Sequence, residues 1–385
     1  MRINSVLSGC FLLIATGLLA EVTQEPANRI RLRLPKTIYA APGIEMNVYF
    51  ENVALTLNPA NYAFDVICAK GVQQSERWTY TPAKNESGSF PFQLDVRDEM
   101  NAVIARAQSV LQITSPDPTP ERETSLLCIG DSLTAGGGYT GRLLQLSESR
   151  KELGLKLIGS RGAGKNRHEG YGGWTAQRHA TLYTGRAREG DKKGIGSPFI
   201  YKRGNEPPAL DFAHYSKDMN DGKGPDFVTL LLGCNDTFSA TDETIESRID
   251  TMLKHYDSLI QMIHQVRKDT RIGALILVPP AASQDAFGSN YRSGQTRWQY
   301  RRNQHRVMER MLKHFAGREK ENVWLVPANL NLDCANNYPQ SQATRNANTS
   351  LKVTRQSNGV HPATAGYYQI GDSIYCWMLA RIIHE

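Results

Sequence analysis

Three short stretches place reactive side chains where a single chain can bring them together. Gly130-Asp131-Ser132-Leu133-Thr134 follows an apolar run, Ser125–Ile129. A serine at a strand-to-helix turn is exposed, and its backbone N–H can face a ligand. Gly233-Cys234-Asn235-Asp236 follows another apolar run, Asp226–Leu232, and the Asn235 side chain can donate an N–H into the same cleft. Asn358-Gly359-Val360-His361-Pro362 lies near the end of the chain, where a histidine can return to the serine. A hydroxyl, an imidazole and an amide donor are the parts of nucleophilic catalysis. The nucleophile elbow Gly-x-Ser-x-Gly is not matched, because Thr134 occupies the last glycine position.

The elements around these stretches predict how they are held. Strand-like runs at Ser125–Ile129, Lys156–Gly159, Asp226–Leu232, Ile272–Val278 and Val323–Val326 alternate with helical patterns. The helices are expected from about Tyr139 to Gly141 onward, at Ile245–Gln265, at Thr296–Phe315 and at Thr364–Ile383. Alternation of this kind predicts an α/β fold, a parallel sheet covered by helices on both faces. Sites in such sheets form at the carboxyl ends of strands, where all three stretches fall. Residues 161–224 show little periodicity and read as a lid or substrate-binding insertion, with a solvated loop as the bland reading.

Residues from about 28 to 113 are different. Short apolar or alternating runs at Ile30–Leu34, Glu45–Phe50, Tyr62–Cys68, Phe90–Val96 and Ser109–Ile113 are separated by turn residues, the pattern of a β-sandwich. Ser115-Pro116-Asp117-Pro118-Thr119-Pro120 then reads as an extended linker. The expected organisation is an N-terminal signal at 1–20, a smaller all-β domain at 21–114, a Pro-rich linker at 115–122 and a catalytic domain at 123–385.

The chain of 385 residues is 40% hydrophobic and 22% charged, which suits a folded globular protein rather than a disordered one. Its net charge of +7 comes from basic residues spread along the sequence rather than blocked. This argues against nucleic-acid binding and leaves open attraction of an anionic substrate. Arg2 followed by an apolar run from Val6 to Leu19 reads as a secretion signal, too short to be a stable membrane span, so a secreted or periplasmic location is expected. Leu7-Ser8-Gly9-Cys10 is similar to a lipoprotein cleavage box but sits too early in the apolar run to act as one. The six cysteines show no metal-binding spacing. Gly159-Ser-Arg-Gly-Ala-Gly164-Lys165 has the spacing of a phosphate loop, yet Asn166 stands where Ser or Thr should bind Mg²⁺.

Four segments together resemble the blocks of the SGNH, or GDSL, hydrolases. Gly130–Thr134 is similar to the first block, Gly170-Tyr171-Gly172-Gly173-Trp174-Thr175 to the second, Gly233–Asp236 to the third and Asn358–His361 to the last, in the family's order. The resemblance spans residues 130 to 362 and is silent on the β-rich N-terminal third. It implies a three-layer, flavodoxin-like sandwich and a serine esterase with no metal or cofactor. Ser132 would be the nucleophile and His361 its base. The N–H groups of Ser132 and Gly173 and the side-chain amide of Asn235 would hold the oxyanion. The family has Asp where this chain has Asn358. Asn358 can fix the imidazole tautomer but supplies no charge, and Glu169 and Asp333 are alternative partners for His361. Tyr171 and Trp174 are candidates for a sugar-stacking platform, or else core aromatics. Secretion, the extra β-rich domain and the Tyr- and Trp-bearing insertion favour an O-acylated carbohydrate as substrate. A lipase or lysophospholipase-type esterase and a non-catalytic glycan-binding protein are the alternatives. Oligomeric state has no signature in the sequence.

Overall fold

The computed structural model describes residues 30–115, 123–185 and 195–382. The proposed signal and residues 116–122 of the Pro-rich stretch lie outside the described residues. A seven-stranded sheet forms the centre. Its main path runs Arg161–Ala163, Asn166–Gly170, Glu123–Gly130, Phe227–Leu231, Arg271–Leu275 and Val323–Val326, and Gly154–Ile158 pairs with the first half of Glu123–Gly130. All pairings are parallel except that of Arg161–Ala163 with Asn166–Gly170. Every residue of Phe227–Leu231 is buried, as expected of a strand covered on both faces. The long helices Gly138–Arg150 and Thr364–Ile382 pack together, and Ile245–Val266 packs against Ala176–Thr181 and Arg297–His314. This is the three-layer α/β arrangement. Gly273 lets the final helix approach closely, since a Cβ there would lie 2.8 Å from the Trp377 ring.

The long elements fall within a few residues of expectation, but the stretch 161–224 does not remain irregular. Asn166–Gly170 joins the sheet beside the serine-bearing strand, with Gly130 paired to Gly170. Ala176–Thr181 and Phe212–Met219 are helices. The strand Asn-Arg-His-Glu-Gly carries no apolar alternation, so periodicity had no means of finding it. It also settles the phosphate-loop spacing. Residues 159–165 lead through a strand and a hairpin turn rather than into a helix N-terminus.

The N-terminal region builds its own apolar core from Trp78, Phe92, Leu94, Leu111 and neighbours. A four-stranded sheet is ordered Thr37–Ala40, Val103–Ile113, Gly88–Arg97, Ala63–Cys68. A three-stranded sheet is ordered Met46–Tyr49, Arg77–Tyr80, Val72–Gln73. The run expected as a strand to Phe50 turns at Tyr49 into a short helix, Phe50–Val53. This helix seats against the α/β half. Asn52 Nδ2 donates to Asn329 O (2.9 Å) and Leu332 O (2.8 Å). Arg301 donates to Thr56 O, Glu51 O and Ala54 O, each at 2.8 Å. Leu330 enters the N-terminal core. Buried polar groups satisfied across a junction resist separation, because parting them leaves donors and acceptors unpaired. The junction is thus held by buried hydrogen bonds as well as by apolar contact. Among the described residues all five cysteines are free thiols, four of them buried.

Candidate active site

The serine-bearing strand Glu123–Gly130 ends in a turn with little room. A Cβ on Gly130 would lie 2.0 Å from Thr134 Oγ1, so only glycine fits. Asp131 then caps the short helix Ser132–Ala135, its Oδ1 accepting the Leu133 N–H at 2.9 Å. Ser132 is thereby held half-buried at the helix start. From the other end of the chain, His361 presents Nε2 to Ser132 Oγ at 2.8 Å. With Nε2 as acceptor of the hydroxyl proton, the imidazole carries its own proton on Nδ1.

The His361 loop is anchored on three sides. Asn358 Oδ1 accepts the N–H groups of Val360 (3.1 Å) and His361 (2.9 Å). Gly359 O accepts from Ala281 N at 3.1 Å, and a Cβ on Gly359 would meet the Phe287 ring at 2.8 Å. Val360 is buried with Cys234, Phe287 and Tyr300. Asn358 is therefore a turn-forming residue. It is not the Nδ1 partner expected of it, because its acceptor oxygen is taken by backbone. Neither alternative carboxylate replaces it. Glu169 accepts from Ser160 N (2.6 Å), Ser160 Oγ (2.9 Å), Tyr171 OH (2.8 Å) and Tyr215 OH (2.8 Å). Asp333 caps its own turn at Ala335 and Asn336. Among the described residues no group bonds to Nδ1. Burial alone holds the His361 pKa below its ordinary value, since desolvation disfavours the imidazolium.

A second turn rides over the end of the serine strand. Tyr171 N donates to Gly130 O at 3.0 Å, and Trp174 N closes the turn on Tyr171 O at 3.2 Å. Gly173 sits at φ +77°, a conformation that favours glycine, and among the described residues beyond its chain neighbours no atom lies within 4 Å of its ideal Cβ position. Its N–H and that of Ser132 have no acceptor among the described residues, so both can serve an oxyanion. Asn235 is tied more tightly. Its Nδ2 donates to Asp131 Oδ2 (3.0 Å) and to Trp174 O (3.1 Å). An oxyanion must compete with one of these acceptors for it. Asp236 completes the stitching by accepting the Ala176 N–H at 3.1 Å. Asp131 is fully buried, and burial, reinforced by nearby Asp236, pushes its pKa up to about 7. Asp236 is raised to about 6 for the same leading reason.

Tyr171 and Trp174 do not form a platform. Their rings stack on each other at 4.3 Å and retain 4% and 6% of their surface, so neither offers a free face to a sugar. They form the buried support of the Gly173 turn, with His179 edge-on to both. His179 Nε2 lies 3.1 Å from Gly130 O, and burial lowers its pKa to about 4, so it acts as a neutral partner of the serine strand. His179 and Tyr215 were invisible from the sequence as supports of this turn. They are single polar residues in an aperiodic stretch, and only the fold brings them to the block residues. Among the described residues no three His, Cys, Asp or Glu side chains cluster as a metal site.

The family described as GDSL-like Lipase/Acylhydrolase matches residues 126–374. No curated protein matches the chain. Similar solved structures include a family 3 carbohydrate esterase from Clostridium thermocellum, 18% identical over 68% of this chain and 99% of its own, with a TM-score of 0.38. A carbohydrate esterase family 3 protein from Talaromyces cellulolyticus is 15% identical over 67% and 98%, with a TM-score of 0.40. A carbohydrate acetylesterase from Sinorhizobium meliloti is 16% identical over 68% and 100%, with a TM-score of 0.39. With the family match covering well over half of the chain, and its span enclosing the Ser132–His361 pair and both turns that flank it, this chain belongs to the GDSL-like lipase/acylhydrolase family of ester hydrolases.

Proposed function

We propose that the protein removes short acyl groups, acetyl above all, from an acylated carbohydrate outside the cytoplasm, through an acyl-enzyme on Ser132. The observation that carries the reading is the 2.8 Å approach of His361 Nε2 to Ser132 Oγ. In this mechanism Nε2 takes the hydroxyl proton as Oγ attacks the ester carbonyl. The N–H groups of Ser132 and Gly173 receive the developing oxyanion, joined by the Asn235 amide once it releases Trp174 O. The imidazolium returns its proton to the leaving alkoxide. Water then attacks the acyl-enzyme with His361 again as base. Ser132 and His361 work as a dyad, its histidine positioned by the Asn358 turn and the packing of Val360.

Several features support a short acyl group on a sugar. Similar solved structures include carbohydrate esterases. The Gly172-Gly173 turn is exposed, and the aromatic rings beside it are packed inward instead of lining a long apolar groove. The N-terminal Arg2 and apolar run support export. Hydrolysis of p-nitrophenyl acetate and release of acetate from acetylated xylan or pectin test the reading. Ser132→Ala is expected to lower turnover by about 10⁴ or more. Activity confined to long-chain esters, or unchanged in Ser132→Ala, sinks it.

A further inference from the structure

Most arginines described here end on carboxylates. Arg31 and Arg33 meet Glu309, Arg106 meets Asp95, and Arg142 meets Asp372. Arg178 differs. It lies on the short helix Ala176–Thr181, immediately after the turn that carries Gly173, and its side chain is exposed. Among the described residues its one side-chain hydrogen bond runs from Nη1 to Gly173 O, at 3.5 Å. That length is at the weak end of such contacts, so the guanidinium is positioned by the turn without being consumed by it. Among the described residues, Asp131 and Asp236 beside this turn are committed elsewhere. Asp131 holds Leu133 N and Asn235, and Asp236 holds Ala176 N. Among the described residues Arg178 has no carboxylate partner.

A permanent cation therefore stands beside an oxyanion donor with open space around the adjacent Gly172 and Gly173. An arginine cannot shed its charge and matches carboxylate and sulfate in a two-pronged geometry. Hydrolysis of a neutral acylated sugar gives such a group nothing to bind. We propose that Arg178 is a specificity residue that reads an anionic group, a carboxylate or sulfate, on the sugar that carries the ester or on its neighbour. The inference rests on the ester-hydrolase reading of the site and narrows the substrate class to acylated anionic glycans. The net charge of +7 agrees with it, because a positive surface raises the encounter rate of a polyanion.

Two small esters of similar shape, anionic 4-acetoxybenzoate and neutral 4-acetoxybenzamide, probe the effect, with Arg178→Gln as the control for their other differences. The full-length protein is expected to prefer the anionic ester in kcat/KM, and the preference should weaken at high salt. Arg178→Gln should lower the ratio of anionic to neutral kcat/KM about tenfold, mainly through KM, and Arg178→Lys should restore part of it. A ratio that is the same in wild type and Arg178→Gln overturns the inference. So does an equal loss on both esters, which would mean that the cation acts on the oxyanion alone. Acetylated polygalacturonate and acetylated xylan separate this from the broader reading. Cleavage of neither polymer, with the small-ester preference intact, removes the carbohydrate substrate and keeps Arg178 as an anion reader. Equal cleavage of both, with no change of preference in Arg178→Gln, removes the anion reader and keeps the carbohydrate. Hydrolysis of neither small ester overturns both.

Discussion

The turn before Ser132 and the turn before His361 use the same local device and differ in everything beyond it. In each, an Asp or Asn side-chain oxygen accepts backbone N–H groups and so sets the direction of the residue that follows. Asp131 is fully buried, and its second oxygen reaches across to Asn235, which is itself bonded to the Gly173 turn at Trp174 O. Asn358 is only half-buried and works within its own loop. One turn is wired into the proposed oxyanion site. The other is a local clamp, and the histidine depends on the packing of Val360 and the close fit of Gly359 for the rest of its placement. A capping residue can thus be a hub or a hinge-pin, and the sequence motif does not distinguish them.

Removing the hub should have the larger effect. Asp131→Ala frees the Asn235 amide and uncaps Ser132–Ala135, and kcat/KM on p-nitrophenyl acetate should fall about 10²-fold. Asn358→Ala loses two backbone acceptors on a partly exposed loop, which should cost about 1 kcal/mol of stability in a denaturant titration and lower activity about tenfold or less. Equal losses at the two sites would erase the distinction. Asn358→Asp sharpens it further. Because the side-chain oxygen faces backbone, activity should change by no more than about threefold. A rise near the 10⁴ that such a charge is worth in serine proteases would mean that the carboxylate swings to Nδ1.

The two turns should also titrate in opposite senses. His361 must be neutral to act, and burial lowers its pKa, so the acid limb of kcat/KM should fall below pH 6.5. Asp131 has its pKa raised to about 7, so the folded state binds that proton more tightly than the unfolded chain. Its contribution to stability is full below about pH 4 and is lost as pH rises through about 7. Asp131→Asn should therefore flatten the decline in thermal stability between pH 5 and pH 8. An unchanged slope would mean that Asp131 is already ionised in the folded protein across that window, its pKa not raised.

The long elements were legible because burial on both faces demands continuous apolar strands, and amphipathic helices repeat at a fixed period. The proposed pair was legible because Ser132 and His361 stand in segments that resemble the family's blocks, in the family's order. The support beneath the Gly173 turn was not legible. Glu169, Tyr171, His179 and Tyr215 are polar or aromatic residues of an aperiodic segment, and their meeting at Gly130 and Ser160 depends on a strand that local pattern cannot reveal.

What the sequence determined by itself is which residues can act: a serine and a histidine, the glycine turn, and a parallel sheet whose strand ends collect them. Tertiary structure alone decided what each neighbour does. It turned Asn358 from an imidazole partner into a turn clamp, because its oxygen meets two N–H groups first. It turned Tyr171 and Trp174 from a surface into a support, because their faces are spent on each other. Side-chain type constrains what a group can bond, but only packing selects among the partners within reach, since each buried polar atom must take the acceptor or donor that folding leaves beside it.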